Sequence, residues 1–273
     1  MAQPGGRRFR VAAAQLTSTA DAAANLEASE RLARRAAREG AQLVAFPENF
    51  AFLRREGEPL PEAKALADGP AAWAAGLARE LGLWILAGSV AERTRGGRRV
   101  HNTSVLVAPD GRFAAVYRKI HLFDAEVPGS GTLRESDVVA PGRRVVVART
   151  PLGRLGLSIC YDLRFPELYR ALAARGAEVL FVPSAFTHYT GSHHWETLLR
   201  ARAIENQAWV VAPAQSGRHG PRRRSWGHTM VVDPWGAVVA YREQGTGLVV
   251  ADVDLDRVDA VRKAMPCQSH RRL

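Results

Sequence analysis

Apolar and polar positions along this chain alternate or cluster in short runs, separated by Gly, Pro, Asn and Asp. Runs at 9–16, 42–46, 84–90, 103–108, 113–117, 144–150, 155–159, 178–182, 208–214, 228–232, 237–241 and 247–253 predict strands. Three short turns, Pro109-Asp110-Gly111, Pro151-Leu152-Gly153 and Pro234-Trp235-Gly236, predict hairpins between the runs that flank them. Helical periodicity occupies 21–39, 69–81, 165–175, 192–206 and 254–265, with Gly40 and Gly176 just past two of the ends. In 165–175 the residues Phe165, Leu168, Tyr169, Leu172 and Ala173 make one apolar stripe. Helices interspersed with hairpins predict an α/β fold with mixed sheets. The count alone allows two sheets face to face with helices outside, a barrel, or three layers. No linker or low-complexity tract divides the chain, so residues 1–273 read as a single domain.

Three of these strands run into residues that carry chemistry. The strand at 42–46 ends in Pro47, which cannot donate to a ladder, and Glu48 follows at its mouth. The strand at 113–117 leads into Arg118, Lys119 and the charged stretch to Asp124. Lys64, Lys119 and Lys263 are the only lysines among 38 basic residues. Lys119 therefore stands out, because a compact ammonium suits a site where one point charge must reach a reacting atom. The strand at 155–159 ends at Cys160, just before a helix start marked by Phe165-Pro166-Glu167. A lone Cys is usually a small buried hydrophobe. At a strand-to-helix turn, backbone N–H groups and the helix dipole are expected to lower its pKa and to bind an oxyanion.

Composition narrows the class. Length, 47% hydrophobic residues and 24% charged residues fit a globular chain with a sizeable core. Two cysteines, Cys160 and Cys267, leave no disulfide framework and fit a reducing, cytoplasmic setting. No apolar run reaches membrane-spanning length, so no membrane partner is expected. A net charge of +11 invites a nucleic-acid reading. The arginines, however, are scattered along helices (Arg31, Arg34, Arg35, Arg38) rather than interleaved with aromatics on a platform, which argues against it.

Glu48, Lys119 and Cys160, in that order at strand ends, carry a wider likeness. The segments 11–15, 46–49, 117–124, 156–167 and 226–236 together resemble the nitrilase superfamily of carbon–nitrogen hydrolases over nearly the whole chain. The resemblance implies a four-layer α-β-β-α sandwich of two mixed sheets. It is similar to the amidase branch acting on deaminated glutathione, with Arg200 to Asn206 and Gln215-Ser216-Gly217-Arg218-His219 carrying that likeness, and next to the ω-amidase branch. It implies Cys160 as nucleophile, Glu48 as general base, Lys119 and a backbone N–H near Tyr161 as oxyanion donors, and Glu135 as an assisting carboxylate that positions the lysine. A homodimer or higher oligomer is implied as well.

For the substrate, Tyr161, Arg164, Arg218 and His219 are the candidate binding residues, suited to a small acidic amide. Arg164 has an alternative in a salt bridge with Glu167, three residues on. The expected substrate is deaminated glutathione, with α-ketoglutaramate and N-carbamoyl amino acids as alternatives. Neighbouring His193 and His194 point to different helix faces, and no metal-ligand spacing or phosphate loop is present, so no metal or cofactor is expected. Two other classes stay open at this point, a basic nucleic-acid-binding protein and an inactive scaffold of the same fold. The presence of all three catalytic residue types favours the enzyme.

Overall fold

The computed structural model describes residues 6–55, 63–94, 96–128 and 131–272. In chain order its strands are β1 (Arg8–Gln15), β2 (Leu43–Ala45), β3 (Trp84–Arg93), β4 (Val100–Val107), β5 (Phe113–Arg118), β6 (Asp124–Val127), β7 (Gly131–Arg134), β8 (Val147–Thr150), β9 (Gly153–Leu157), β10 (Val179–Phe181), β11 (Trp209–Ala212), β12 (Ser216–Arg218), β13 (Arg224–Trp226), β14 (Thr229–Val232), β15 (Val238–Arg242) and β16 (Gly247–Asp254). The helices are α1 (Ala22–Arg38), α2 (Pro70–Leu81), α3 (Pro166–Ala174), α4 (His188–Asn206) and α5 (Leu255–Ala264).

The first sheet has the order β16-β1-β2-β3-β4-β5 and the second the order β15-β14-β11-β10-β9-β8. Each has a parallel centre, β1-β2-β3 in one and β11-β10-β9 in the other, with antiparallel strands on both flanks. The alternation along β1 and β2 fixes which face goes where. Val11, Ala13, Leu43 and Ala45 join the core shared with the second sheet, whereas Ala12, Ala14 and Val44 pack with Leu32, Ala33 and Ala36 of α1 and Ala74 and Ala78 of α2. Leu168, Tyr169 and Leu172 of α3 and Trp195, Leu199 and Ala203 of α4 belong to the core on the second sheet. The result is the four-layer α-β-β-α sandwich of two mixed sheets.

Local chemistry explains the helix ends. Asp21 caps α1 by accepting from the Ala24 N–H at 3.0 Å, and Arg35 and Arg38 sit in its last turn, favourable to the dipole. Pro70 and Pro166 occupy the first positions of α2 and α3. Along α1 the arginines are matched on the surface: Arg31 with Glu27, Arg34 with Glu30 and Glu80, and Arg35 with Glu39. Such exposed pairs add little stability but give the helices a solvated polar face. No helix among the described residues is long and apolar enough to cross a membrane.

Two close approaches bring the functional strand ends together. A Cβ on Gly88 of β3 would lie 1.9 Å from the Phe46 carbonyl oxygen, so glycine alone lets β3 press against the turn that carries Glu48. A Cβ on Gly142 would lie 2.1 Å from the Arg118 carbonyl oxygen, and the Gly142 N–H donates to the Lys119 carbonyl at 2.7 Å. The three anticipated hairpins are antiparallel pairs, β4-β5, β8-β9 and β14-β15. Two further hairpins, β6-β7 and β12-β13, lie outside the predicted strands. Helix α4 begins at His188, four residues earlier than its periodicity indicates, because Thr187 caps it through Thr190 N–H.

Candidate active site

Glu48 follows β2, Lys119 follows β5, and Cys160 follows β9, so one group comes from the second sheet and two from the first. All three are buried, and they meet between the sheets. Lys119 Nζ donates to Glu48 Oε1 at 2.9 Å and to both oxygens of Glu135 at 3.0 and 2.8 Å. The Ala185 N–H donates to Glu48 Oε2 at 3.0 Å, and the Cys160 thiol is hydrogen-bonded to the Glu48 carboxylate. Glu135 opens a short 3-10 turn, Glu135–Asp137, behind the β6-β7 hairpin and also accepts from the Phe123 N–H at 2.7 Å. The structure thus gathers Glu48, Lys119, Cys160 and Glu135 into one cluster.

The backbone at Cys160 is held in an unusual shape. Its φ is +48°, rare for a non-glycine residue, and its N–H is committed to the Pro183 carbonyl at 3.0 Å. Asp162 secures the turn. It accepts from the Ile159 N–H at 2.9 Å, the Tyr117 hydroxyl at 2.6 Å and the His121 backbone N–H at 3.0 Å, and its Oδ1 lies 2.7 Å from His121 Nδ1. His121 in turn stacks on Phe165 with ring centroids 3.7 Å apart. One fully buried carboxylate therefore ties the segment after Lys119 to the turn at Cys160.

Electrostatics decide where the proton rests. Burial pushes the Glu48 carboxyl up, but Lys119 and the hydrogen bonds from Cys160 and Lys119 outweigh it and hold the pKa below the usual value. Burial pulls the Lys119 ammonium down, yet Glu135 and Glu48 more than reverse this and keep it charged. Burial pushes the Cys160 thiol well up, reinforced by the neighbouring Glu48 charge, with Lys119 opposing. The sequence reading of a lowered thiol pKa is corrected here. A 3-10 turn, Cys160–Arg164, separates the sulfur from α3, and burial beside a carboxylate outweighs any dipole. At neutral pH the resting cluster is thiol, carboxylate and ammonium.

The remaining candidates separate by position. Tyr161 packs against Phe123 and Phe165 with centroids 4.9 and 5.3 Å away. The half-buried Arg164 guanidinium lies over the Tyr161 and Phe186 rings, 5.7 and 5.1 Å from their centroids, and 3.1 Å from His194 Nδ1. It pairs with no carboxylate among the described residues, Glu167 included, although the Cys160 sulfur is near enough to influence its titration. Arg218 is turned to the surface, where its guanidinium reaches the Pro221 carbonyl at 3.5 Å and no other group among the described residues. His219 is buried, with Nδ1 2.8 Å from the Ser18 carbonyl oxygen, and burial lowers its pKa to about 4. Burial thus keeps its ring uncharged at neutral pH. Arg223, in the same connection, is the one whose charge reaches Glu48 and His219. Sequence reasoning missed Arg223, and also Asn102, whose amide touches both Glu48 and Glu135. Among the described residues no group of His, Cys, Asp and Glu is arranged to hold a metal ion.

Known proteins share this arrangement of sequence and fold. The carbon–nitrogen hydrolase family model matches residues 10–263. A deaminated glutathione amidase of Synechocystis sp. is 46% identical over 266 residues, which cover 96% of this chain and 98% of that protein. The human deaminated glutathione amidase is also 46% identical, over 96% of this chain and 82% of its own length. The crystal structure of the NitFhit protein of C. elegans superposes with a TM-score of 0.89 at 41% identity, covering 100% of this chain and 66% of that one.

Proposed function

Because this chain belongs to the carbon–nitrogen hydrolase family, we propose that it is an amidase whose substrate is deaminated glutathione, cleaved to α-ketoglutarate and cysteinylglycine. The observation that carries the substrate is the 46% identity with relatives bearing that activity in their name, over almost the full length of both chains in the Synechocystis case. Arg164 supports it, since a half-buried guanidinium that meets His194 and two aromatic rings but no carboxylate among the described residues suits an anionic substrate.

In this mechanism Glu48 takes the thiol proton as sulfur attacks the amide carbonyl carbon. Lys119 stabilises the oxyanion by turning one of its two Glu135 contacts toward it, together with the Tyr161 N–H. Collapse breaks the C–N bond, and the amine of cysteinylglycine leaves with the proton held by Glu48. The α-ketoglutaryl thioester on Cys160 is then hydrolysed by water that Glu48 deprotonates, returning the thiol. Glu135 keeps Lys119 charged and in place throughout.

Comparison of kcat/KM for deaminated glutathione and α-ketoglutaramate on one preparation tests the substrate. Deaminated glutathione is expected to be preferred. A tenfold preference for α-ketoglutaramate, about 1.4 kcal/mol in transition-state binding, would overturn that choice in favour of an ω-amidase.

A homodimer belongs to the same reading. Trp235 and Ile204 are 57% and 51% exposed, and the Ile204 side chain lies against Gly236, so one patch joins the end of α4 to the β14-β15 turn. Light scattering at micromolar concentration should report twice the chain mass, and a monomer would contradict it. The same proposal places the enzyme in the cytoplasm, where two free cysteines, one of them the nucleophile, stay reduced.

A further inference from the structure

Asn102 lies on β4 immediately beside the catalytic cluster. Its carbonyl accepts the Lys119 N–H at 2.9 Å, so the two residues are locked together through the backbone. Its side-chain amide Nδ2 donates to Glu48 Oε1 at 2.9 Å and to Glu135 Oε1 at 3.2 Å. Asn102 itself is buried, and its Oδ1 has no hydrogen-bond partner among the described residues. A buried polar side chain with one unsatisfied atom costs stability, and a hydrophobic residue would avoid that cost. An amide at this spot therefore does something that packing alone does not explain.

The lone pairs of Glu48 show what that function is. A carboxylate oxygen has two acceptor sites. Oε1 spends both, one on Lys119 Nζ and one on Asn102 Nδ2. Oε2 spends one on the Ala185 N–H, which leaves one site for the thiol. Without Asn102, Oε1 would regain a free lone pair, the carboxylate could rotate about its terminal bond, and both oxygens would compete for the proton. A neutral amide is the suitable donor for this task. A second cation at the same place would weaken the base further, while a third carboxylate would repel it.

We propose that Asn102 is a positioning residue for the general base, whose amide occupies Oε1 of Glu48 together with Lys119 and so directs Oε2 to the Cys160 proton. This rests on the reading of Glu48 as the base. Its test therefore includes a Glu48 variant and uses a reaction that does not depend on which amide is the substrate.

The reaction is alkylation of Cys160 by iodoacetamide, followed by intact mass from pH 9 down to the acid limit of the folded state in the wild type and in Asn102→Leu, Asn102→Asp and Glu48→Gln. In the wild type the rate should fall on acidification as Glu48 takes a proton. Loss of a donor to the charged carboxylate raises its pKa, so both Asn102 variants should lose rate at higher pH, the midpoint moving up by about half a pH unit or more. Asn102→Asp, with an added charge, should shift further than Asn102→Leu. Amide hydrolysis should show the same displacement, with kcat reduced about tenfold or more and KM changed little. Glu48→Gln should alkylate slowly, its rate climbing steadily with pH as the thiol itself ionises and showing no midpoint at the Glu48 position. An unmoved midpoint in both Asn102 variants, with the midpoint lost in Glu48→Gln, would overturn the role of Asn102 alone. The wild-type midpoint persisting in Glu48→Gln would overturn the base itself. Asn102→Asp keeps the size of the side chain, so loss of the folded state in both Asn102 variants would reduce Asn102 to a structural residue and also overturn the proposal.

Discussion

Replacing Lys119 by Arg is expected to lower kcat/KM by about 10³-fold although the positive charge is retained. The ammonium is 2% exposed and makes three contacts of 2.8 to 3.0 Å, each to a carboxylate oxygen that also has another partner. Nζ fits because it is one tetrahedral atom at the end of a thin stem. A guanidinium is a planar fork with its donors spread outward, and its extra volume would have to displace Glu48 or Glu135. Displacing Glu48 moves the base away from Cys160, and displacing Glu135 frees the carboxylate that holds the ammonium in place. The backbone offers no slack, since the Lys119 N–H and carbonyl are both bonded, to Asn102 and Gly142. Steady-state kinetics checks this, with thermal melting to show that the variant is folded. Turnover within a few-fold of wild type would mean that the ammonium shape is not needed.

Cys160→Ser is expected to be equally inactive, with kcat reduced at least about 10³-fold. Oxygen differs from sulfur little in size, so the buried turn with its positive φ should be kept. The difference lies in the proton. Glu48 has a pKa held below the usual carboxylate value, chiefly because Lys119 outweighs the effect of burial. Such a weak base can draw a proton from a thiol as attack proceeds but not from an alcohol, whose pKa is far higher. The same depression sets the pH dependence of the wild type. The carboxylate is the active form, so activity should persist on acidification through the ordinary Glu range and fall only as pH drops through the lowered pKa of Glu48. Single-turnover and steady-state assays of Cys160→Ser check the first expectation, and wild-type activity in that variant would remove Cys160 from the reaction.

How much of this was legible beforehand depends on where the information resides. The apolar runs of β1, β2, β3 and β9 are local signals, and they predict strands that the structure contains. The β6-β7 and β12-β13 hairpins are built from strands of three or four residues, and even the alternation of Asp124-Ala125-Glu126-Val127 is too short to stand out. Asp124 and Glu126 are exposed, and Arg218 and Arg224 face solvent, so tertiary contacts such as Phe123 N–H to Glu135 and the Thr187–Ser225 bridge hold them. Glu48, Lys119 and Cys160 stood out because each ends a strand in an unusual residue. Asn102 sits among His101, Thr103 and Ser104, where one amide among polar neighbours gives no sign of its two carboxylate partners. The charge of Arg223 at Glu48 gave no sign beforehand for a similar reason, since a run of nearby arginines does not show which one acts on a distant carboxylate. The direction of the Cys160 pKa was misjudged because the carboxylate that raises it lies far away in sequence and the burial that raises it is a property of the assembled sheets.

The central claim is that amide cleavage passes through a thioester on Cys160. Intact-mass spectrometry of enzyme acid-quenched during turnover of deaminated glutathione tests it directly, with peptide mapping to locate any adduct. The account predicts one added α-ketoglutaryl group in place of the thiol proton, mapped to the peptide containing Cys160 and absent from Cys160→Ser. Undiminished turnover by Cys160→Ser, or an acyl group mapped to any other residue, would contradict it.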